Sequence, residues 1–260
     1  MTSASVGSGP PPSSWICPLC GLAARKSKEH VLPEWLLKAW GRDVHAIVAG
    51  EDRGSYTVKV LVCEKCNNWM NVAFENAVRD LINELRTGLR SSVSPDDQRR
   101  LAGWFTKTIL MLNLWREFDI DQYLRPDDYR NFRTTEQFPS GTRIWLGSIE
   151  DTDPVLAAAV VQAVPTLREN ASAPQSRIFP RGSSLYTFSI DHLVVLWIRD
   201  NRPDEATLPE SDPRRLIRHC ARRGLLIPIW PPTPGPTSWP PRVPFDVTTY
   251  ERWRRLFAWR

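Results

Sequence analysis

The sequence predicts an α+β protein in which a small cysteine-rich module, residues 15–90, precedes a larger mixed α+β domain, residues 91–260. Two Cys-x-x-Cys pairs mark the module. Apolar residues at helical spacing follow it, and short β-like runs come later in the chain. With 260 residues, the chain is long enough for both units.

The composition indicates a reducing compartment. Five cysteines, an odd number arranged mainly as two close pairs, fit a metal site better than a framework of disulfides. Residues 1–14 are rich in Ser, Gly and Pro, so we expect them to be disordered, and they lack the basic start and apolar stretch of a signal peptide. We therefore expect a cytoplasmic protein with no membrane span.

The net charge of +5 is compatible with a polyanionic partner but does not identify one. The excess of basic residues lies in residues 200–260, where arginines alternate with tryptophans. Such a pattern can bind phosphates and stack on bases, although a solvated helix face is the interpretation that we favour. The residues concerned are Arg214, Arg215, Arg218, Arg222, Arg223, Arg252, Trp253, Arg254, Arg255, Trp259 and Arg260.

The two cysteine pairs predict a structural zinc site. Cys17 and Cys20 form the first pair, and Cys63 and Cys66 form the second. Two tight turns of this kind are the usual source of four thiolates for a tetrahedral zinc ion. Gly21 suits a turn in which backbone N–H groups approach the sulfur atoms. We expect metal binding to supply much of the folding free energy of the module, on the order of 10 kcal/mol.

The segment between the cysteine pairs contains the residues most suited to chemistry. Glu29 and His30 are adjacent, Pro33 follows three residues later, and Asn67 directly follows the last cysteine of the second pair. In this order and spacing, residues of about 15–80 resemble the HNH endonuclease family in its four-cysteine form. The matching residues are Cys17, Cys20, Glu29, His30, Pro33, Cys63, Cys66 and Asn67.

The resemblance implies a ββα-metal fold and phosphodiester hydrolysis. His30 would act as the general base, and Glu29 and Asn67 would hold a catalytic Mg²⁺ or Mn²⁺ ion, with Asn68 as a neighbouring substitute. The zinc would remain structural. The expected partner is nucleic acid, DNA in preference to RNA, and defence against foreign DNA would be a natural setting.

The match departs from the family at two positions. Glu29 stands where the family more often has Asp, and the segment Val31 to Val62 contains no counterpart of the central Asn that orients the base. Thr57, Lys59 or a backbone carbonyl are the alternatives for that task. Two further interpretations therefore stay open. One is a non-catalytic zinc-dependent nucleic-acid-binding or adaptor protein, and the other is an unrelated four-cysteine structural knuckle.

The remaining histidines and the fifth cysteine have no partners at ligand spacing. We expect His45, His192 and His219 to be surface or core residues and Cys220 to be a passive small side chain. The sequence contains no phosphate-binding glycine loop and no dinucleotide fingerprint. These absences disfavour nucleotide-driven work.

Two helices are predicted after Asn67. The first covers about Trp69 to Leu89, and the second begins at an N-cap, Ser94, with Pro95 at its first position. Each carries apolar residues at steps of three or four, which indicates a buried stripe. The stripe residues are Phe74, Val78, Leu81, Ile82 and Leu85 in the first helix, and Leu101, Phe105, Ile109, Leu112 and Trp115 in the second.

The C-terminal half predicts strands with a helix between them. Residues Arg143 to Ser148 and Leu185 to Arg199 are β-like, and Pro154 to Val164 is helix-like. Eight prolines between Pro228 and Pro244 exclude a regular helix or a central strand and predict an extended surface segment. An amphipathic helix is expected from Asp246 to Arg260.

Overall fold

The computed structural model describes residues 15–40, 45–48, 51–55, 59–114, 124–150, 162–164, 184–190, 192–199, 213–246 and 248–250. The predictions for residues 1–14, for Thr57, for Trp115 and for the tail after Tyr250 lie outside this part of the chain. Within it, no helix has both the length and the apolar character that crossing a membrane requires.

The cysteine-rich module consists of a strand pair followed directly by a helix. Strand β1 (Lys26–His30) pairs antiparallel with β4 (Lys59–Cys63), and helix α2 (Glu64–Met70) begins at the next residue. In this register His30 lies opposite Lys59, and Lys26 lies opposite Cys63. Three elements lie between the paired strands, helix α1 (Glu34–Trp40) and the hairpin strands β2 (His45–Val48) and β3 (Glu51–Ser55).

The helix predicted after Asn67 is present, but one π-helical turn interrupts it. Helix α2 passes through this turn, Asn71–Glu75, into helix α3 (Asn76–Arg86). The predicted stripe is buried throughout, at Phe74, Val78, Leu81, Ile82 and Leu85. A π-helical turn holds an extra residue, so the side chains before it point in different directions from those expected of a continuous α-helix.

Helix α4 (Pro95–Leu114) is the centre of the molecule. The short strand β5 (Ser92–Val93) precedes it. The Ser94 hydroxyl accepts a hydrogen bond from the Asp97 N–H at 3.1 Å, and the Asp97 carboxylate accepts one from the Ser94 N–H at 3.1 Å, which confirms the predicted cap. The predicted stripe is confirmed at Leu101, Phe105, Ile109 and Leu112. Every residue from 101 to 112 is buried, however, because other elements pack on all sides of this helix.

Five antiparallel strands form the main sheet, in the order β10-β6-β9-β8-β7. Both predicted β-like regions are confirmed, and the second is a hairpin of two strands. The helix expected over Pro154 to Val164 is wrong where the structure describes it, because Gln162–Val164 is a strand paired with Thr187, Tyr186 and Leu185. A short apolar run does not distinguish a helix from a strand, and here the neighbouring strand decides. The elements are α5 (Pro126–Thr135), β6 (Thr142–Ser148), β7 (Gln162–Val164), β8 (Ser184–Ile190), β9 (Leu193–Arg199), α6 (Pro213–Arg222) and β10 (Leu226–Trp230).

The proline-rich segment is extended, as predicted. It begins in the edge strand β10, where Pro228 is exposed, and includes the short strand β11 (Thr237–Ser238), which pairs with β5. Gln98 of α4 is fully buried and holds the segment, since its side-chain oxygen accepts a hydrogen bond from the Thr233 N–H at 2.7 Å. The indole N–H of Trp239 donates to the Leu85 carbonyl at 3.1 Å.

One hydrophobic core joins the module to the sheet. Cys66, Trp104 and Trp197 belong to the same cluster of buried side chains, so this core crosses the predicted boundary at residues 90–91. Alternate residues of β9 face two layers. Val195 and Trp197 lie in the cluster that contains α4, whereas Val194, Leu196 and Ile198 pack with Ile217 of α6 and with Phe245.

Candidate metal centre and histidine site

Four cysteines form a cluster that can hold a metal ion. The Sγ atoms of Cys17, Cys20, Cys63 and Cys66 all lie within 4.8 Å of one another. The distance between the Sγ atoms of Cys20 and Cys63 is 3.8 Å. A tetrahedral zinc ion with Zn–S bonds of about 2.3 Å separates its ligands by about 3.8 Å. The arrangement therefore fits the predicted structural zinc.

Backbone hydrogen bonds position these sulfur atoms. The Gly21 N–H donates to the Cys17 carbonyl at 2.8 Å, which closes the first turn, and Gly21 has a φ of 70° that other residues rarely adopt. In the second turn, the Cys63 N–H donates to the Cys17 sulfur and the Cys66 N–H donates to the Cys63 sulfur, both at 3.4 Å. Donors of this kind stabilise thiolates.

The cysteines are also electrostatically linked. A hydrogen bond from Cys66 lowers the pKa of Cys17 to about 4, against the opposing effect of burial. The same hydrogen bond, together with burial, raises the pKa of Cys66. Burial also raises the pKa of Cys20. Because zinc binds thiolates, its binding to this cluster releases protons.

His30 lies at the end of β1 with its side chain 22% exposed. Its Nε2 atom is 3.8 Å from a carboxylate oxygen of Glu34, in the first turn of α1. Burial lowers the pKa of His30, and the positive charge of Lys59 on the opposite strand lowers it further. The imidazole is therefore neutral at neutral pH, the state that can accept a proton.

Glu29 faces the interior. Its side chain is 8% exposed, and its Oε1 atom lies 2.6 Å from the Nζ atom of Lys107 in α4. Burial raises the pKa of Glu29, and the Lys107 ammonium opposes that rise. Neighbouring residues in a strand point to opposite sides, so Glu29 and His30 leave β1 on different faces. On the inner face, the Glu29 carboxylate has the Lys107 ammonium as its partner.

Lys107 and Glu75 also belong to this site, although no sequence motif marked them. The Lys107 side chain is fully buried, and its Nζ atom lies 2.8 Å from Glu75 Oε1 and 3.2 Å from the His30 carbonyl oxygen. Glu75 is at the end of the π-helical turn. One signal for Glu75 was available, because it precedes the buried Val78 by three residues and Ile82 by seven.

Asn67 joins helix α2 to strand β1. Its side-chain N–H group donates to the Ser27 hydroxyl at 2.8 Å and to the Lys28 carbonyl at 3.2 Å. The two predicted cation ligands therefore have different partners. Glu29 is paired with the Lys107 ammonium, and Asn67 is hydrogen-bonded to β1. Both supply oxygen ligands of the type that Mg²⁺ prefers, but Glu29 already has the Lys107 ammonium as a partner and does not fit that ion well. A catalytic cation at these residues stays a prediction. Asn68 is exposed.

The other histidines, the fifth cysteine and the C-terminal arginines belong to other parts of the chain. His192 is half-buried, with its Nδ1 atom 3.1 Å from the Ile149 carbonyl oxygen, and His219 is exposed. Cys220 is buried beside Ile217 on the inner side of α6. The side chain of His45 is outside the described part. Among the C-terminal arginines, Arg215, Arg222 and Arg223 are exposed on or next to α6, and Arg218 is half-buried.

No protein-family model matches this sequence, and neither a curated protein nor a solved structure matches the chain.

Proposed function

We propose that this chain is an HNH-type endonuclease that hydrolyses phosphodiester bonds in DNA, with His30 as the general base. The observation that carries the proposal is the position of His30. The residue ends the first strand of a strand–strand–helix unit whose second strand and helix contain Cys63 and Cys66. Its side chain is partly exposed, and its neutral imidazole is able to accept a proton.

The proposed reaction needs a general base that activates the attacking water molecule. The imidazole of His30 takes a proton from a water molecule, whose oxygen forms a new bond to phosphorus while the bond to the leaving oxygen breaks. The leaving oxygen takes a proton from solvent, and His30 returns its proton to solvent. A positioned general base of this kind contributes about a hundredfold or more to a rate.

Two charged side chains, Lys107 and Glu34, lie next to His30. Lys107 donates to the main-chain oxygen of His30, and Glu34 lies 3.8 Å from the ring nitrogen. Glu34 can thus stabilise the imidazolium that forms when the base takes its proton. Lys59 was one sequence-based alternative for the missing asparagine, but its positive charge opposes imidazolium formation. Glu34 is the better candidate for that task.

The family resemblance also implies Mg²⁺ or Mn²⁺ at Glu29 and Asn67. Such an ion would neutralise negative charge on the phosphate. Because the Glu29 carboxylate is already paired with Lys107, we assign no step of the reaction to that ion. The test of the proposal therefore includes reactions with each ion and with neither.

Cleavage of supercoiled plasmid, single-stranded DNA and RNA tests the proposal. The variants are His30→Ala and a matched control, His192→Ala, which removes a half-buried histidine next to the main sheet. We expect the wild type and the control to nick or linearise plasmid and His30→Ala to leave it intact, with equal zinc content in all three. Equal cleavage by His30→Ala would refute the role of His30.

A non-catalytic nucleic-acid-binding protein is the second candidate. The observation that favours it is the pairing of Glu29 with Lys107, together with the missing central asparagine. A wild-type protein that shifts DNA in a gel but cuts none of the three substrates with either ion would support this candidate and would exclude the nuclease.

A further inference from the structure

A buried group of three charged side chains lies beneath His30. Glu29 comes from β1, Glu75 from the π-helical turn and Lys107 from α4. Lys107 is fully buried, which is rare for lysine, and its ammonium is not exposed to bulk solvent. Burial of this kind is costly unless each charge is paired, so this group is not an ordinary surface salt bridge.

The ammonium of Lys107 contacts three oxygen atoms, through hydrogen bonds to Glu75 and to the His30 carbonyl and an ion pair with Glu29. An ammonium has three N–H donors. Three oxygen atoms lie within reach of Nζ, at 2.6 Å for Glu29, 2.8 Å for Glu75 and 3.2 Å for the His30 carbonyl. A single atom therefore holds both the side chain of Glu29 and the main chain of His30.

The local backbone at Glu75 supports a functional role. Glu75 ends the π-helical turn between α2 and α3. Single π-helical turns inside α-helices occur frequently at functional sites, where the extra residue redirects side chains. Here the turn places a carboxylate in the interior, 2.8 Å from Lys107.

We propose that Lys107 and Glu75 are positioning residues of the His30 site. Lys107 fixes the end of β1 by binding Glu29 and the His30 carbonyl, and Glu75 holds Lys107 in place. This inference rests on the proposed nuclease function for its kinetic consequences. The site then extends beyond the cysteine-rich module, because α4 supplies one of its residues.

Three variants of the full-length, zinc-loaded protein test this proposal. Lys107→Met keeps the length of the side chain and removes its charge. The double variant Lys107→Met/Glu75→Gln also removes the second carboxylate, so the count of unpaired buried charges falls. Arg99→Met is the control, an exposed cation on the same helix. Each protein is measured for zinc content, thermal unfolding, kcat and KM on plasmid, and the NMR signals of the His30 ring and amide.

We expect Lys107→Met to lower kcat on the order of a hundredfold with little change in KM, because the base is misplaced while substrate contacts remain. The double variant should regain part of the lost thermal stability but not kcat, and the His30 signals should stay displaced in both. The control should match the wild type. A double variant that regains both kcat and the wild-type His30 signals would overturn the proposal, since charge compensation alone would then explain Lys107.

A role in competition with a cation gives a different result. If Lys107 only occupied Glu29 in place of a metal ion, Lys107→Met would cut plasmid at a lower Mg²⁺ concentration than the wild type, and the proposal would fail. If the wild type cuts no substrate, the nuclease proposal fails, and the NMR signals then test the proposal that Lys107 and Glu75 position His30. Unchanged His30 signals in Lys107→Met would then refute it, and displaced signals would support it.

Discussion

The molecule contains two buried polar centres that differ in how they are built. The cysteine cluster takes its four ligands from two short turns, each with two cysteines three residues apart. The Lys107 centre takes its three charged groups from a strand, a π-helical turn and a central helix. The first depends on local spacing and the second on tertiary packing. The difference explains why a motif marks all four cysteines but only Glu29 of the second centre.

The two centres should also contribute different free energies to folding. Removal of the metal tests the larger contribution. A chelator should unfold the cysteine-rich module, because binding of zinc to four thiolates supplies on the order of 10 kcal/mol in comparable small sites. Cys63→Ser should have the same effect, since Cys63 lies at the end of β4 and accepts a hydrogen bond from Cys66. Circular dichroism and zinc release can be followed together.

Cys220→Ser is the matched control for that experiment, because Cys220 is buried outside the cluster. It should keep its zinc. A module that keeps its structure after complete loss of zinc would contradict the structural role of the metal.

The second centre should give a smaller but still large effect. Lys107→Met leaves Glu29 and Glu75 buried without a cation, and removal of one partner from a buried ion pair costs about 3–5 kcal/mol. Urea unfolding should show this loss of free energy of unfolding. The double variant Lys107→Met/Glu75→Gln should recover part of it. A loss below about 1 kcal/mol would mean that these charges are accessible to water.

The buried neutral side chain of Gln98 allows the stability effect of a buried charge to be compared with that of a buried neutral group. Gln98 is fully buried and accepts a hydrogen bond from the Thr233 N–H at 2.7 Å. Gln98→Ala leaves that donor without its partner, and we expect a loss of about 1–3 kcal/mol in the free energy of unfolding. Gln98→Glu keeps the acceptor but adds a buried charge, so it should not restore stability. Equal stability of wild type and Gln98→Ala would show that water replaces the amide.

The smallest effect concerns the cap of α4. Burial raises the pKa of Asp97, but hydrogen bonds from Ser94 and the charge of Arg90 outweigh this and lower it overall. A lowered pKa adds stability above the unfolded-state value of about 3.9, and that stability is lost as the pH falls through the folded-state pKa.

Asp97→Asn should therefore be less stable than the wild type by about 1 kcal/mol at pH 7. The difference should shrink as the pH falls below about 3.9. Urea midpoints at several pH values measure it. A difference that stays constant down to the lowest pH would contradict the assigned role of the Asp97 charge.

Much of the fold follows from local patterns in the sequence. The cysteine pairs, the cap at Ser94 and the strand at Arg143 to Ser148 depend on residues close together in the chain, and all three are present. The helix expected over Pro154 to Val164 failed at Gln162–Val164, because pairing with β8 overrides local preference. No sequence pattern indicates Lys107, because only tertiary packing brings it to Glu29.

The most direct test of the account measures zinc and plasmid cleavage in the same samples of wild type and His30→Ala. We predict about one zinc ion per chain in both proteins, cleavage by the wild type and none by the variant. Cleavage by both proteins at equal rates, or a wild type without zinc, would contradict it.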